Sequence, residues 1–214
     1  VSIFLKTLFQ GVSPYNGEVK VVESFGERRL IASSYTQSRS LNKKGKTASY
    51  WDGFVNNLPP VSRDGRILIL GLAGGTIAKL ITAKFGPVAI DGVDIDPLMV
   101  DLGRKYLDFK EKNVNVIIAD ALKFVDETRY KYDIVCVDLF ARGDVAVGTE
   151  SSEFFEKTKR LLTENGVVVV NKLYSTREAL EGYLDFLHQI FGKTNVLMVR
   201  NSFRNENVIV YAHR

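Results

Sequence analysis

The hydrophobic pattern changes character near residue 60. Upstream, apolar and polar residues alternate over positions 18–25 and again over 28–34, with Gly26-Glu27 between them. A period of two turns one face to a core and the other to water, so these segments predict a β-hairpin. Over 47–57 the period lengthens, and Tyr50, Trp51, Phe54 and Val55 fall on one side of a predicted helix. Leu58-Pro59-Pro60 closes it, because a proline disfavours helical geometry in the residue before it.

Downstream, short β-branched runs at 66–70, 88–93, 115–119, 132–137 and 167–171 are almost continuously apolar. Such runs suit strands buried on both faces, as in parallel sheets. Between them 76–85, 97–109, 121–128 and 151–162 have helical character, with Pro97 suited to a first turn. A last helix at 176–191 leads to 196–200 and 207–212, separated by a polar turn too short for a helix. These two strands predict an antiparallel hairpin at the sheet edge. The expected fold is α/β, a Rossmann-like, mostly parallel seven-stranded sheet with a C-terminal antiparallel hairpin and a small N-terminal β-hairpin segment. The expected division is an appendage over 1–60 and a nucleoside-binding domain over 61–214.

Composition adds little until it is divided. The chain has 214 residues, 45% apolar and 25% charged, ordinary for a soluble domain. No run approaches the roughly 18 apolar residues of a membrane helix, and Val1-Ser2-Ile3-Phe4-Leu5 is too short for a secretory apolar region. The single cysteine, Cys136, lies in an apolar run and reads as a buried thiol; a reducing, cytoplasmic setting is the expectation. With only His188 and His213 beside it, no familiar zinc pattern is available and no metal is expected. The formal surplus of +4 lies wholly in residues 1–60, which carry eight Lys/Arg against four acids. Four of those bases fall between Arg39 and Lys46. The plain reading is a solvated loop, the sharper one a patch facing an anionic partner. No interleaved aromatics accompany it, which argues against nucleic acid.

The strand at 66–70 runs into Gly71-Leu72-Ala73-Gly74-Gly75-Thr76 and then a helix. Small residues let a ligand approach the backbone, and a helix N-terminus offers N–H groups carrying partial positive charge. The next strand ends in Val93-Asp94-Ile95-Asp96-Pro97. Asp94 stands 23 residues beyond Gly71, near the spacing that brings a carboxylate to the hydroxyls of a bound ribose. A dinucleotide site favours Gly-x-Gly-x-x-Gly, but the third and sixth positions here are Ala73 and Thr76. The pattern therefore points to a nucleoside without pyrophosphate. In Ala119-Asp120-Ala121, the acid suits both an adenine amino group and the N-cap of the following helix, and the two roles are compatible. Asp96 reads mainly as an N-cap before Pro97. Gly71, Ala73, Gly74, Gly75, Asp94, Ile95, Asp120 and Ala121 are the expected cofactor contacts.

The fourth strand ends at Asp138, at the carboxyl ends of the strands where open α/β sheets bind ligands. It is aimed to hold a substrate amine, to take its proton, or to cap the loop backbone. Arg142 and Lys172 are the cations nearest this crevice in sequence; Arg142 suits an acidic acceptor, and Lys172 reads equally as part of a helix-cap neighbourhood.

This order of residues resembles the spermidine synthase (polyamine aminopropyltransferase) family over most of the chain. That family opens a hairpin with Tyr-Gln, matched by Tyr15-Asn16; its second Gln falls on Gln37; its Tyr-His-Glu or Tyr-Gln-Glu helix falls on Tyr50-Trp51-Asp52. Its glycine loop, ribose acid, Asp-Gly pair and Asp-Ser-Ser-Asp acid fall on positions 71–76, Asp94, Asp120-Ala121 and Asp138. The resemblance implies the class I methyltransferase fold, an N-terminal β appendage and often a homodimer. It adds Gln37 to the cofactor contacts and pairs Tyr50 with Asp138 as the catalytic residues.

The departures concern the amine. The family's glycine-loop acid, which holds the aminopropyl ammonium, is Gly74; the second acid of Asp-Ser-Ser-Asp is Ala141; the Asp-Glu pair before the tyrosine is Lys46-Thr47. The Pro-Thr-Tyr-Pro-Ser-Gly segment has no counterpart. A polycation needs carboxylates to replace its water. On these grounds the sequence favours S-adenosylmethionine and methyl transfer to an unidentified small-molecule acceptor, with anionic character hinted by the basic segment. Aminopropyl transfer from decarboxylated S-adenosylmethionine comes second, and a non-catalytic nucleoside-binding protein third.

Overall fold

A computed structural model describes residues 5–141, 144–174, 176–199 and 207–214. Strands β1 (Lys6–Ser13), β2 (Gly17–Ser24), β3 (Glu27–Ala32) and β4 (Tyr35–Arg39) form an antiparallel sheet in that order. The expected hairpin is β2–β3, and strands on both sides of it went unforeseen. β1 leaves most of its side chains exposed or half-exposed, so it shows no apolar alternation. β3 stops at Ala32 because Ser33 and Ser34 take φ of 47° and 71°. That turn is made without the Gly or Asn that usually announces one, and the polar Tyr35-Thr36-Gln37-Ser38-Arg39 follows it as a strand. The sheet's inner face places Val19, Val21, Leu30 and Ala32 against Met99, Leu102 and Leu107.

Helix α1 (Tyr50–Asn56) is shorter than the sequence predicts. The Asp52 carboxylate accepts the Thr47 and Ala48 amides at 2.9 and 2.7 Å, and Ala48 takes φ 53°, so the chain turns before the helix begins. Trp51, Phe54 and Val55 pack with the core of the larger sheet, and Tyr211 Oη donates to the Gly53 and Phe54 carbonyls.

Alternation follows as expected: β5 (Arg66–Leu70), α2 (Thr76–Phe85), β6 (Ala89–Asp94), α3 (Pro97–Tyr106), β7 (Val114–Ile118), α4 (Ala121–Glu127) and β8 (Tyr132–Val137). Two-residue strands β9 (Phe140–Ala141) and β10 (Asp144–Val145) pair with each other before α5 (Ser152–Arg160), β11 (Leu162–Leu173), α6 (Arg177–Phe191), β12 (Lys193–Val199) and β13 (Asn207–His213). The large sheet runs β12-β13-β11-β8-β5-β6-β7, parallel except for β13, which is antiparallel to both its neighbours. Ile67 and Ile69 face the α1–α2 layer while Leu68 and Leu70 face α5 and α6. Both faces are dry, which is why the strand reads as a continuous apolar run. Cys136 is fully buried in the same core. No helix among the described residues is long and apolar enough to cross a membrane.

Candidate active site

Two adjacent strand ends, β5 and β8, set the centre of the site. Gly71 follows β5 with φ 90°, and a Cβ there would lie 2.1 Å from the Asp138 carbonyl oxygen, so only glycine fits. The Gly71 and Leu72 amides donate to Val93 O, the Ala73 amide to Asp94 Oδ2 at 2.6 Å, the Gly74 amide to Ser38 Oγ and the Gly75 amide to Leu72 O. All five loop amides are thus used within the protein. A pyrophosphate therefore finds no donors on residues 71–75. Ala73 holds φ 45°, a costly conformation for a residue with a Cβ, and its bond to Asp94 stabilises it there.

Gln37, Tyr50, Gly71, Ala73, Asp94, Ile95, Asp120, Ala121 and Asp138 all line one cavity of about 270 Å³. Gly74 and Gly75 do not line it. A Cβ at Gly74 would come within 2.9 Å of both Leu107 Cδ1 and Ser38 Cβ, and one at Gly75 would meet the Phe109 ring at 2.5 Å. These glycines exist for packing behind the loop. Gly103 of α3 completes that contact, since its own Cβ would stand 2.5 Å from Gly74 Cα.

Asp94 closes β6 half-buried. Its second oxygen accepts the Asp96 amide at 2.9 Å. Burial raises its pKa to about 6, and the backbone bonds from Asp96 and Ala73 hold that rise back. Asp120 caps α4 through Oδ1, which accepts Leu122 N at 2.7 Å and Lys123 N at 3.3 Å. Its other oxygen takes no part in the cap. The apolar lining between these acids, including Val93, Met99, Ala119 and Leu122, suits the faces of a purine.

Asp138 lies beyond them at the end of β8. Its Oδ1 accepts Asn171 Nδ2 at 2.7 Å and its Oδ2 accepts Tyr50 Oη at 3.2 Å. Burial lifts the Asp138 carboxyl above the ordinary range, opposed by those hydrogen bonds. Burial and then the Asp138 charge push the Tyr50 phenol well above its usual value. Tyr50 therefore stays protonated and donates. Asn171 was absent from the sequence reading; the signal was a lone amide closing the apolar run Val167-Val168-Val169-Val170.

Tyr15 and Asn16, at the turn between β1 and β2, also line the cavity, as do Leu139, Phe140 and Val147 from the segment after β8. Arg142 lies outside the described residues. Lys172 bonds Glu150 at 2.5 Å and borders a separate cavity. Lys43, Lys44 and Lys46 are exposed on a turn organised by Asn42, and none of them lines the site. Among the described residues no group of three or more His, Cys, Asp or Glu side chains is placed to hold a metal.

Residues 57–211 match the Spermine/spermidine synthase domain. The chain belongs to that family. A probable polyamine aminopropyl transferase of Bifidobacterium longum is 28% identical over 88% of this chain and 43% of its own length. A polyamine aminopropyltransferase of Saccharolobus solfataricus is 33% identical over 62% of this chain and 45% of its own. The chain thus spans less than half the length of these relatives. Among solved structures, a probable spermidine synthase from Corynebacterium glutamicum superposes with a TM-score of 0.79 at 17% identity, covering 97% of this chain and 79% of that one. Human methyltransferase-like protein 13, in complex with SAH, superposes with a TM-score of 0.56 at 23% identity, covering 73% of each chain. At such identities both show the shared fold, which family membership places on the spermidine synthase branch.

Proposed function

We propose that this chain is the nucleoside-binding and transfer unit of an aminopropyltransferase of the spermidine synthase type, using decarboxylated S-adenosylmethionine and a small amine acceptor. This replaces methyl transfer as the leading reading, because the relatives over most of the chain are polyamine aminopropyltransferases and one spermidine synthase neighbour is a complex with a transition state analogue. The observation that carries it is Asp138: a half-buried carboxylate held by Asn171 and Tyr50, lining the same cavity as Asp94 and Asp120.

The residues fit such a donor. Asp94 retains lone pairs for two ribose hydroxyls, and the free oxygen of Asp120 suits an adenine amino group. When bound, the donor supplies a sulfonium whose C–S electron pair departs with methylthioadenosine. Asp138 takes the proton of the acceptor amine as the nitrogen lone pair forms the new C–N bond. Its raised pKa makes it a stronger base than an exposed carboxylate. Tyr50, remaining protonated, orients the carboxylate and excludes water from one side.

Methyl transfer stands as the second reading on one observation. Position 74 sends no side chain into the cavity, so no acid there repels the carboxylate of S-adenosylmethionine. Calorimetry with decarboxylated S-adenosylmethionine, S-adenosylmethionine, methylthioadenosine and NAD separates the readings. The proposal expects binding of the decarboxylated nucleoside and methylthioadenosine, at least tenfold tighter than S-adenosylmethionine. Preference for the carboxylated donor supports methyl transfer, and binding of NAD alone defeats both.

A further inference from the structure

Asp96 does more than cap a helix. It is 1% exposed, and its two oxygens serve different elements. Oδ1 accepts the Leu98 amide at 3.0 Å and caps α3. Oδ2 faces away from the helix and accepts both Ser13 Oγ at 2.5 Å and Asn16 Nδ2 at 2.7 Å. Those two residues lie 83 and 80 positions away, in the turn between β1 and β2, and are themselves 1% and 8% exposed. The turn is self-braced: Ser13 Oγ accepts the Tyr15 and Asn16 amides at 3.0 and 3.2 Å, and Ser33 Oγ donates to Asn16 O at 3.0 Å. Tyr15 and Asn16 line the nucleoside cavity, and so does Asp94, two residues before Asp96.

We propose that Asp96 is a positioning residue for nucleoside binding, latching the β1–β2 turn so that Tyr15 and Asn16 form one wall of the cavity that Asp94 floors. A carboxylate is the right group for this work. Two donors converge on one oxygen, and hydrogen bonds to a charged acceptor are about twice as strong as neutral ones. Buried, unpaired donors would otherwise be costly. The latch acts through the turn and touches no reacting atom, so its loss weakens nucleoside binding without removing the base at Asp138. This inference rests on the nucleoside reading of the cavity and is indifferent to which group is transferred.

The test uses Asp96→Ser, since serine retains helix N-capping but is too short to reach Ser13 and Asn16. Methylthioadenosine is the probe, because both donors contain it and it lacks the sulfur-bound chain by which they differ. The latch predicts an affinity loss of about 10- to 100-fold and faster amide exchange across residues 13–17 in the free protein, with exchange in the strands of the large sheet as in the wild type. Ser13→Ala is expected to weaken affinity in the same direction, with α3 capped as before. Wild-type affinity in Asp96→Ser with unchanged exchange at 13–17 overturns the latch while leaving the nucleoside site standing. A wild-type protein that binds no methylthioadenosine contradicts both.

Discussion

Three carboxylates share one cleft, and their surroundings divide the work between them. Asp94 is held by backbone amides, Asp120 by a helix it caps, and Asp138 by an amide side chain and a phenol. All three were legible in the sequence because each ends a strand run in a parallel sheet. Asn171 and the donor role of Tyr50 were not, since they depend on contacts across 33 and 88 residues and on burial. Asp94 yields a pH prediction. Its folded pKa, about 6, lies above the ordinary 3.8, so as pH rises through 6 the ionised form costs fold stability. The same ionised form accepts two ribose hydroxyls, so ligand affinity moves the opposite way. Affinity for methylthioadenosine is expected to level off above about pH 7 and to fall up to tenfold per unit below pH 6. Asp94→Ala should lose roughly 100-fold in affinity at pH 7.5, the scale of one or two charge-assisted bonds. A pH-independent affinity in the wild type, or an unaltered one in the variant, contradicts the ribose contact.

At the scale of elements, the glycine loop divides its small residues between the cavity and the packing behind it. Its small residues do permit close approach, but at Gly74, Gly75 and Gly103 the neighbours are Ser38, Leu107, Phe109 and the loop backbone. Sequence alone does not distinguish a glycine that admits a ligand from one that admits a helix, because both need only the missing Cβ. Gly103→Ala discriminates: it adds one methyl 2.5 Å from backbone at Gly74. Overpacking of that kind costs about 1–3 kcal/mol, so the variant should unfold at lower denaturant and bind methylthioadenosine more weakly as α3 pushes the loop. Unchanged stability would mean that α3 shifts freely and that the loop's shape does not depend on it. β1 and β4 are not legible in the sequence for a related reason: edge strands and a Ser33-Ser34 turn carry neither alternation nor the usual turn residues.

For the whole molecule, the join between the two sheets matters most. The four-stranded sheet buries Val19, Val21, Leu30 and Ala32 on α3, and Arg28 adds a bond to the Tyr106 carbonyl at 2.8 Å. Gln37 and Tyr50 then enter the cavity from β4 and α1, while the nucleoside acids come from the large sheet. A site built across that join requires the two parts to fold together. Leu30, fully buried, is the sharpest probe. Leu30→Ala should cost about 2–5 kcal/mol and lower the single thermal transition as a whole; a new low-temperature transition confined to the N-terminal sheet would show the two parts to be independent. The polarity of the parallel sheet made this architecture readable, since only strands dry on both faces give such runs. The group transferred was not readable, because it turns on side chains that approach the acceptor.

The central claim, aminopropyl transfer with Asp138 as base, is tested most directly by product analysis. Purified protein is incubated with decarboxylated S-adenosylmethionine and a panel of primary amines, and methylthioadenosine is quantified by chromatography. The account predicts amine-dependent release of methylthioadenosine together with an aminopropylated product, reduced about 100-fold or more in Asp138→Asn with nucleoside affinity nearly intact. Amine-dependent turnover that survives Asp138→Asn, or methyl transfer from S-adenosylmethionine with no methylthioadenosine formed from the decarboxylated donor, would contradict it.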